Sequence, residues 1–318
     1  MTNPAERLVD LLDLERIEVN MFRGRSPQES LQRVFGGQVA GQALVAAGRT
    51  TDADRPVHSL HAYFLRPGRP GVPIVYEVER VRDGRSFTTR RVTAVQQGRT
   101  IFNLTASFHR PEEAGFEHQL PPAREVPDPE ELPTVAEEVR EHLGALPEAL
   151  ERMARRQPFD IRYVDRLRWT KEEVQDADPR SAVWMRAVGP LGDDPLVHTC
   201  ALTYASDMTL LDAVRIPVEP LWGPRGFDMA SLDQSTEHHS HYWRSAGTPR
   251  GDEYGAVFES SSGTAPTRTR ETAHAAAREP VATVPALTSS QPPTTRLNAV
   301  HAHGCCQLKT ATEFGRAA

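Results

Sequence analysis

Residues 33–50 read RVFGGQVAGQALVAAGRT, and this stretch decides the fold. Phe35, Val39, Ala43 and Ala46 fall on one face at helical spacing, which predicts a helix from Gln28 to Thr50. What sets it apart is smallness on every side: Gly36, Gly37, Gly41 and Gly48 stand among alanines. Each glycine costs a helix roughly 0.5–1 kcal/mol relative to alanine. A surface helix weakened by glycine is one reading. A central helix wrapped by a sheet is the better one, because small side chains let other backbone approach from all directions.

Working outward, the flanking sequence supplies the sheet. Residues 57–66, VHSLHAYFLR, are rich in strand formers, and 73–82, PIVYEVERVR, alternate apolar and polar. Asp83-Gly84 signals a hairpin, 86–96 continues as a strand, and Gln97-Gly98 turns the chain again. In 100–109, Phe102, Leu104, Ala106 and Phe108 share a face. A helix followed by an antiparallel meander is an α+β unit. Before it, Leu8, Leu11, Leu12 and Ile17 predict a lead-in helix over 5–20.

After a Pro- and Glu-rich stretch at 111–135 and a helix near 135–156, the pattern restarts. Residues 160–169 and 182–188 are strand-like, and Pro195 opens a helix expected to run to about Val214. His58-Ser59-Leu60-His61 follows the first helix as Ala230-Ser231-Leu232-Asp233 follows the second, so a weak internal repeat is read. The expected division is 1–110, a linker with helix at 111–157, a second unit at 158–233, and a tail at 234–318. That tail is sparse in large apolar residues and rich in Ser, Thr, Pro, Ala, Arg and His. Such a composition is expected to remain disordered. A shifted reading frame near Gln234 and a natural disordered tail would both produce it.

The net charge of −6 over 318 residues leaves no basic footprint for nucleic acid. No apolar run is long enough to span a membrane, and the first residues lack the basic-then-apolar pattern of a secretory signal. A cytoplasmic protein is expected. Cys200, Cys305 and Cys306 have neither disulfide-framework nor metal-site spacing.

On the second helix, Val197, Ala201, Tyr204, Met208 and Leu211 form an apolar stripe, with Asp207 inside it. A carboxylate on a core-facing stripe is costly unless paired, and such groups often mark functional sites. If the stripe is shifted by one residue, Asp207 is merely solvated; both readings stand. Ser231, at a strand start, is either an ordinary small residue or a hydroxyl that holds water near a carboxylate. His58 and His61 alternate with apolar neighbours and read as structural. The cluster His238, His239 and His241 reads as incidental rather than as a metal site. No G-x-S-x-G elbow supports a serine nucleophile.

Five segments in order, RVFGGQVAGQAL (33–44), HSLHAYFLRPG (58–68), DGRSFTTRRV (83–92), YASDMTLLD (204–212) and MASLD (229–233), resemble the acyl-CoA thioesterase II family. The resemblance implies an α+β tandem, or double, hotdog: each half a central helix wrapped by an antiparallel sheet, with the second hotdog incomplete here. It implies hydrolysis of acyl-CoA to free CoA and a carboxylic acid, with neither metal nor cofactor. The implied partner is acyl-CoA, with no nucleic acid and no membrane; a homo-oligomer is left open. Two catalytic positions carry over, the base Asp207 and the water-orienting hydroxyl Ser231. Gly36 and Gly37 are the weaker expectation for oxyanion donors. The family's third position, a Gln in a V-Q-E-G-like segment on the last strands, has no match. The rival reading is therefore a relative that binds acyl-CoA or acyl chains without turnover.

Overall fold

The computed structural model describes residues 3–28, 33–111, 127–165, 167, 169, 180–209, 227–231, 233–237, 256–261, 299–303 and 306–310. Helix α1 (Pro4–Leu12) starts at a capping box in which Asn3 and Glu6 satisfy each other's backbone amides. It buries Ala5, Leu8 and Leu12 and ends at Asp13 in extended backbone. The lead-in helix expected over 5–20 is thus half as long. Its second half forms β1 (Glu15–Glu18), paired with β2 (Met21–Gly24), because Ile17 is surface-exposed and continues no apolar stripe.

Helix α2 (Gly36–Gly48) is buried at every position from Gly37 to Ala47. Around it run β3 (Val57–Phe64), β4 (Ile74–Asp83), β5 (Phe87–Gln96) and β6 (Arg99–His109). Inward positions alternate along each strand: Ile74, Tyr76 and Val78; Val92 and Ala94; Phe102, Leu104, Ala106 and Phe108. The β5–β6 connection has two residues, Gln97 (φ 50°) and Gly98 (φ 74°), and both lie in the left-handed region that a tight hairpin of matching twist requires. One polar knot lies inside this layer. Tyr76 Oη donates to Gln42 Oε1 at 2.7 Å, and Gln42 Nε2 donates to the Leu11 and Arg25 carbonyls. Burial pushes the Tyr76 phenol well above its ordinary pKa.

The helix expected near 135–156 is two helices, α3 (Val135–Leu143) and α4 (Glu148–Ala154), because Gly144 adopts a left-handed φ of 73° and Pro147 follows. Strands β7 (Phe159–Tyr163) and β8 (Arg180–Ala187) and helix α5 (Pro195–Thr209) open the second unit. The stretch 210–214, assigned to this helix from sequence, lies outside the described residues.

Part of the tail expected at 234–318 lies in strands. Beyond β9 (Phe227–Ser231), four strands are described: β10 (Asp233–Glu237), β11 (Ala256–Ser261), β12 (Ala299–His303) and β13 (Cys306–Thr310). Ladders need only backbone donors and acceptors, and five or six residues suffice for one rung of a sheet. The rest of 238–318, with His238, His239 and His241, lies outside the described residues. The described strands order as β1-β2-β4-β5-β6-β3-β10-β12-β11-β8-β7, with β13-β9 apart. Pairing is antiparallel except between β11 and β12, and β10 against β3 joins the two halves.

The two central helices meet through glycine. A Cβ on Gly37 would lie 2.3 Å from the Tyr204 carbonyl oxygen, and one on Gly41 3.1 Å from that of Cys200. Gly37 and Gly41 thus serve contact with α5 backbone, while Gly36 and Gly48 make room for side chains.

Candidate functional site

Asp207 sits in the last turn of α5, on the same buried side as Cys200 and Thr203, and is itself buried, with 9% exposure. This favours the core-facing reading of the stripe over the solvated one. Its Oδ2 accepts a hydrogen bond of 2.9 Å from the Gly37 N–H. Phe35, the residue that precedes α2, gives that helix no side-chain cap. The carboxylate of Asp207, delivered from another helix, fills the role. A helix N-terminus has unsatisfied N–H groups and a positive dipole end, so it favours negative charge there. The approach is possible only because position 36 is glycine: a Cβ there would lie 2.6 Å from Asp207 Oδ2 and 2.7 Å from Phe64 Cε1.

The surroundings are aromatic. Phe35 meets Tyr204 edge-on at 4.9 Å between centroids, Phe159 lies 6.2 Å from Tyr204, and Phe64 packs on Phe102 at 5.1 Å. Three hydroxyls of α5 donate to their own helix: Thr199 to the Pro195 carbonyl, Thr203 to that of Thr199, and Ser206 to that of Thr203. Cys200 is fully buried, and that burial, reinforced by Asp194 and opposed by Arg49, holds its thiol well above the usual range. It remains a protonated packing group at neutral pH rather than a thiolate nucleophile.

The sequence marks Gln234 only as the place near which a shift of reading frame is considered. In β10 it stands opposite Ala62 of β3, fully buried. Its Nε2 donates to Ser206 Oγ, beside Asp207, while its Oε1 has no partner among the described residues. No periodicity marks it, since neighbouring residues on β10 are polar.

Of the expected residues, Asp207, Gly36 and Gly37 come together. Ser231 ends β9, its backbone paired with Cys306 of β13, and its side chain lies outside what is described. The Gly37 amide, an expected oxyanion donor, is engaged by Asp207. His58 Nε2 is 2.8 Å from Ser107 Oγ and its ring lies edge-on to Phe87; His61 lies against Tyr63. Among the described residues no cluster of His, Cys, Asp and Glu could hold a metal, and no helix is long and apolar enough to cross a membrane.

Residues 25–109 match the model of the acyl-CoA thioesterase N-terminal domain and 153–254 that of acyl-CoA thioesterase. A human relative, acyl-coenzyme A thioesterase 8, is 37% identical over 240 residues, 73% of this chain and 74% of the human protein. The chain belongs to the acyl-CoA thioesterase II family. Among solved structures, acyl-CoA thioesterase II TesB2 from Mycobacterium marinum is 37% identical, with a TM-score of 0.60 over 82% of this chain and 86% of that one. A protein of unknown function with a hot dog fold from Alicyclobacillus acidocaldarius, at 21% identity and a TM-score of 0.56, covers 75% of this chain and 81% of its own; it bears on the fold alone. As in other members of the acyl-CoA thioesterase II family, the fold is a hotdog α+β one. Helix α5, which carries Asp207, and the glycine-rich α2 lie within the two matched regions.

Proposed function

We propose that this protein hydrolyses acyl-CoA thioesters to free CoA and a carboxylic acid, with Asp207 as general base. The observation that carries the reading is the buried Asp207 carboxylate held at the N-terminus of α2 by the Gly37 amide. A thioester carbonyl is electrophilic and a thiolate leaves readily, so a positioned water and a base suffice. Asp207 takes a proton as the water oxygen bonds to the carbonyl carbon. The tetrahedral oxyanion then collapses, the C–S bond breaks, and the CoA sulfur leaves and is protonated. Within this proposal the Gly37 N–H orients the base. The Gly36 amide, at a helix start where N–H groups lack intrahelical acceptors, is left to face the oxyanion. Ser231 is assigned the orientation of water. The division into a first hotdog at 1–110, a linker at 111–157 and a second hotdog from 158 belongs to the same proposal.

The test is thiol release from acyl-CoA, followed with a thiol-reactive dye, in the wild-type chain and in Asp207→Asn. The amide keeps the shape but takes no proton, so turnover should fall by about 10²–10⁴-fold, the usual contribution of a general base. Full turnover in Asp207→Asn sinks the assignment. Saturable acyl-CoA binding with no thiol release from the wild-type chain selects the binding-only relative instead.

A further inference from the structure

Three arginines gather where β3 runs into the loop before β4. Arg66 and Arg69 flank Pro67-Gly68, and Arg99 opens β6 beside the Gln97-Gly98 turn; together they line an open cavity of about 530 Å³. Among the described residues no carboxylate lines this cavity, and none of the three guanidinium groups forms an ion pair. Elsewhere on this acidic chain exposed arginines do find carboxylates, as Arg23 finds Glu15 and Arg91 finds Glu79.

Neutral groups hold two of the three cations, Arg66 and Arg69, in place. Arg66 Nη1 donates to the Thr100 carbonyl at 2.7 Å, and Arg69 Nη1 donates to Gln97 Oε1 at 3.1 Å. Behind them, buried Gln96 staples the loop. Its Oε1 accepts from the Arg69 N–H, and its Nε2 donates to the Arg69 and Val72 carbonyls. Each of these bonds uses one guanidinium donor out of five, so most of the fork stays available. A group of guanidiniums with no paired carboxylate among the described residues, two of them held in place, matches phosphate oxygens, which accept two parallel N–H bonds at once.

The cavity is also tied to Asp207. Its Gly68 carbonyl accepts from the Val34 N–H, and three residues later the Gly37 N–H meets Asp207. Three residues span at most about 10 Å. The pantoate, β-alanine and cysteamine arm of CoA, longer than that when extended, separates its thioester from its phosphates.

We propose that Arg66, Arg69 and Arg99 form the subsite for the phosphate groups of the CoA nucleotide, a proposal that rests on the acyl-CoA reading above. The cavity then anchors the charged end of the substrate while the arm carries the thioester toward Asp207. Binding energy there would be spent on holding the substrate rather than on the reacting carbon.

The test uses the full chain and two ligands. Calorimetric binding of adenosine 3′,5′-bisphosphate reads the subsite without any turnover. The Arg66→Gln, Arg69→Gln and Arg99→Gln variants should each weaken it by about tenfold, the value of one charge-assisted hydrogen bond, and the wild-type affinity should fall with added salt. In turnover, the triple variant should raise KM for acyl-CoA with kcat nearly unchanged. An acyl-pantetheine thioester, which lacks the nucleotide, should be hydrolysed equally by variant and wild type. Unchanged bisphosphate affinity in the triple variant, or no binding to the wild type, overturns the proposal. Bisphosphate binding that is lost in the variants of a chain that cleaves no thioester keeps the phosphate site and removes the thioesterase reading.

Discussion

Gly37→Ala is the substitution in which the helix contact and the chemistry meet. Taken alone, α2 should gain from it, since alanine exceeds glycine by about 1 kcal/mol inside a helix. The structure reverses the sign. The new methyl would lie 2.3 Å from the Tyr204 carbonyl oxygen, where ordinary contact begins at 3.4 Å. That obstacle is the backbone of α5, which cannot turn aside as a side chain can. The helices must separate by roughly an ångström, and overpacking of this kind costs about 1–3 kcal/mol. Set against the gain in propensity, the net destabilisation should be about 1 kcal/mol, with a urea midpoint lower by a few tenths of a molar. Turnover should suffer more. The same separation draws the Gly37 N–H off Asp207, and a misplacement of that size can cost about 10²-fold. Gly48→Ala is the control: its Cβ would meet only the end of the Leu196 side chain, at 2.4 Å, which can rotate away, and Asp207 is not involved. Urea unfolding and thiol release on both variants decide the matter. A Gly37→Ala protein as stable as wild type and fully active would refute the reasoning, because α5 would then not be held against α2 as described.

Two further outcomes follow from buried polar groups. Gln234→Leu alone should destabilise by about 1 kcal/mol, because it strips Ser206 of a buried donor. Gln234→Leu with Ser206→Ala should return close to wild type, and a urea double-mutant cycle that finds the two effects additive would deny the contact. Stability should also fall at alkaline pH. Burial raises the folded-state pKa of Cys200 and of Tyr76, so their contribution is complete below the unfolded values, about 8.5 for Cys and 10 for Tyr. It is lost as pH rises past those values, because the unfolded chain then gives up protons that the folded one keeps. Cys200→Ala should flatten the portion between pH 8.5 and 10 in a series of urea midpoints; an unchanged slope there would remove the thiol from the account.

Gly36, Gly37, Gly41 and Gly48, with strand alternation at 74–108 and the Gln97-Gly98 turn, were enough to predict a sheet-wrapped helix, because burial periodicity and left-handed backbone are local properties that a chain writes into itself. Asp207 was legible for a related reason: a carboxylate among apolar helix positions is conspicuous wherever it points. Its partner was not. The Gly37 N–H and the Asp207 carboxylate lie 170 residues apart, and no local rule announces that one helix will cap another. The break of α1 after Leu12 also needed tertiary structure, since it shows 15–18 paired as a strand with β2 alongside. The same holds for Gln234 and the strands beyond it. Polar composition argued against order there, yet Gln234 reaches Ser206 because β10 is held by backbone pairing to β3, and backbone pairing leaves no trace in side-chain chemistry. Fold class and the conspicuous carboxylate at Asp207 were thus properties of local pattern, whereas the geometry around Asp207 was decided by contacts between segments that meet only when the two halves pack.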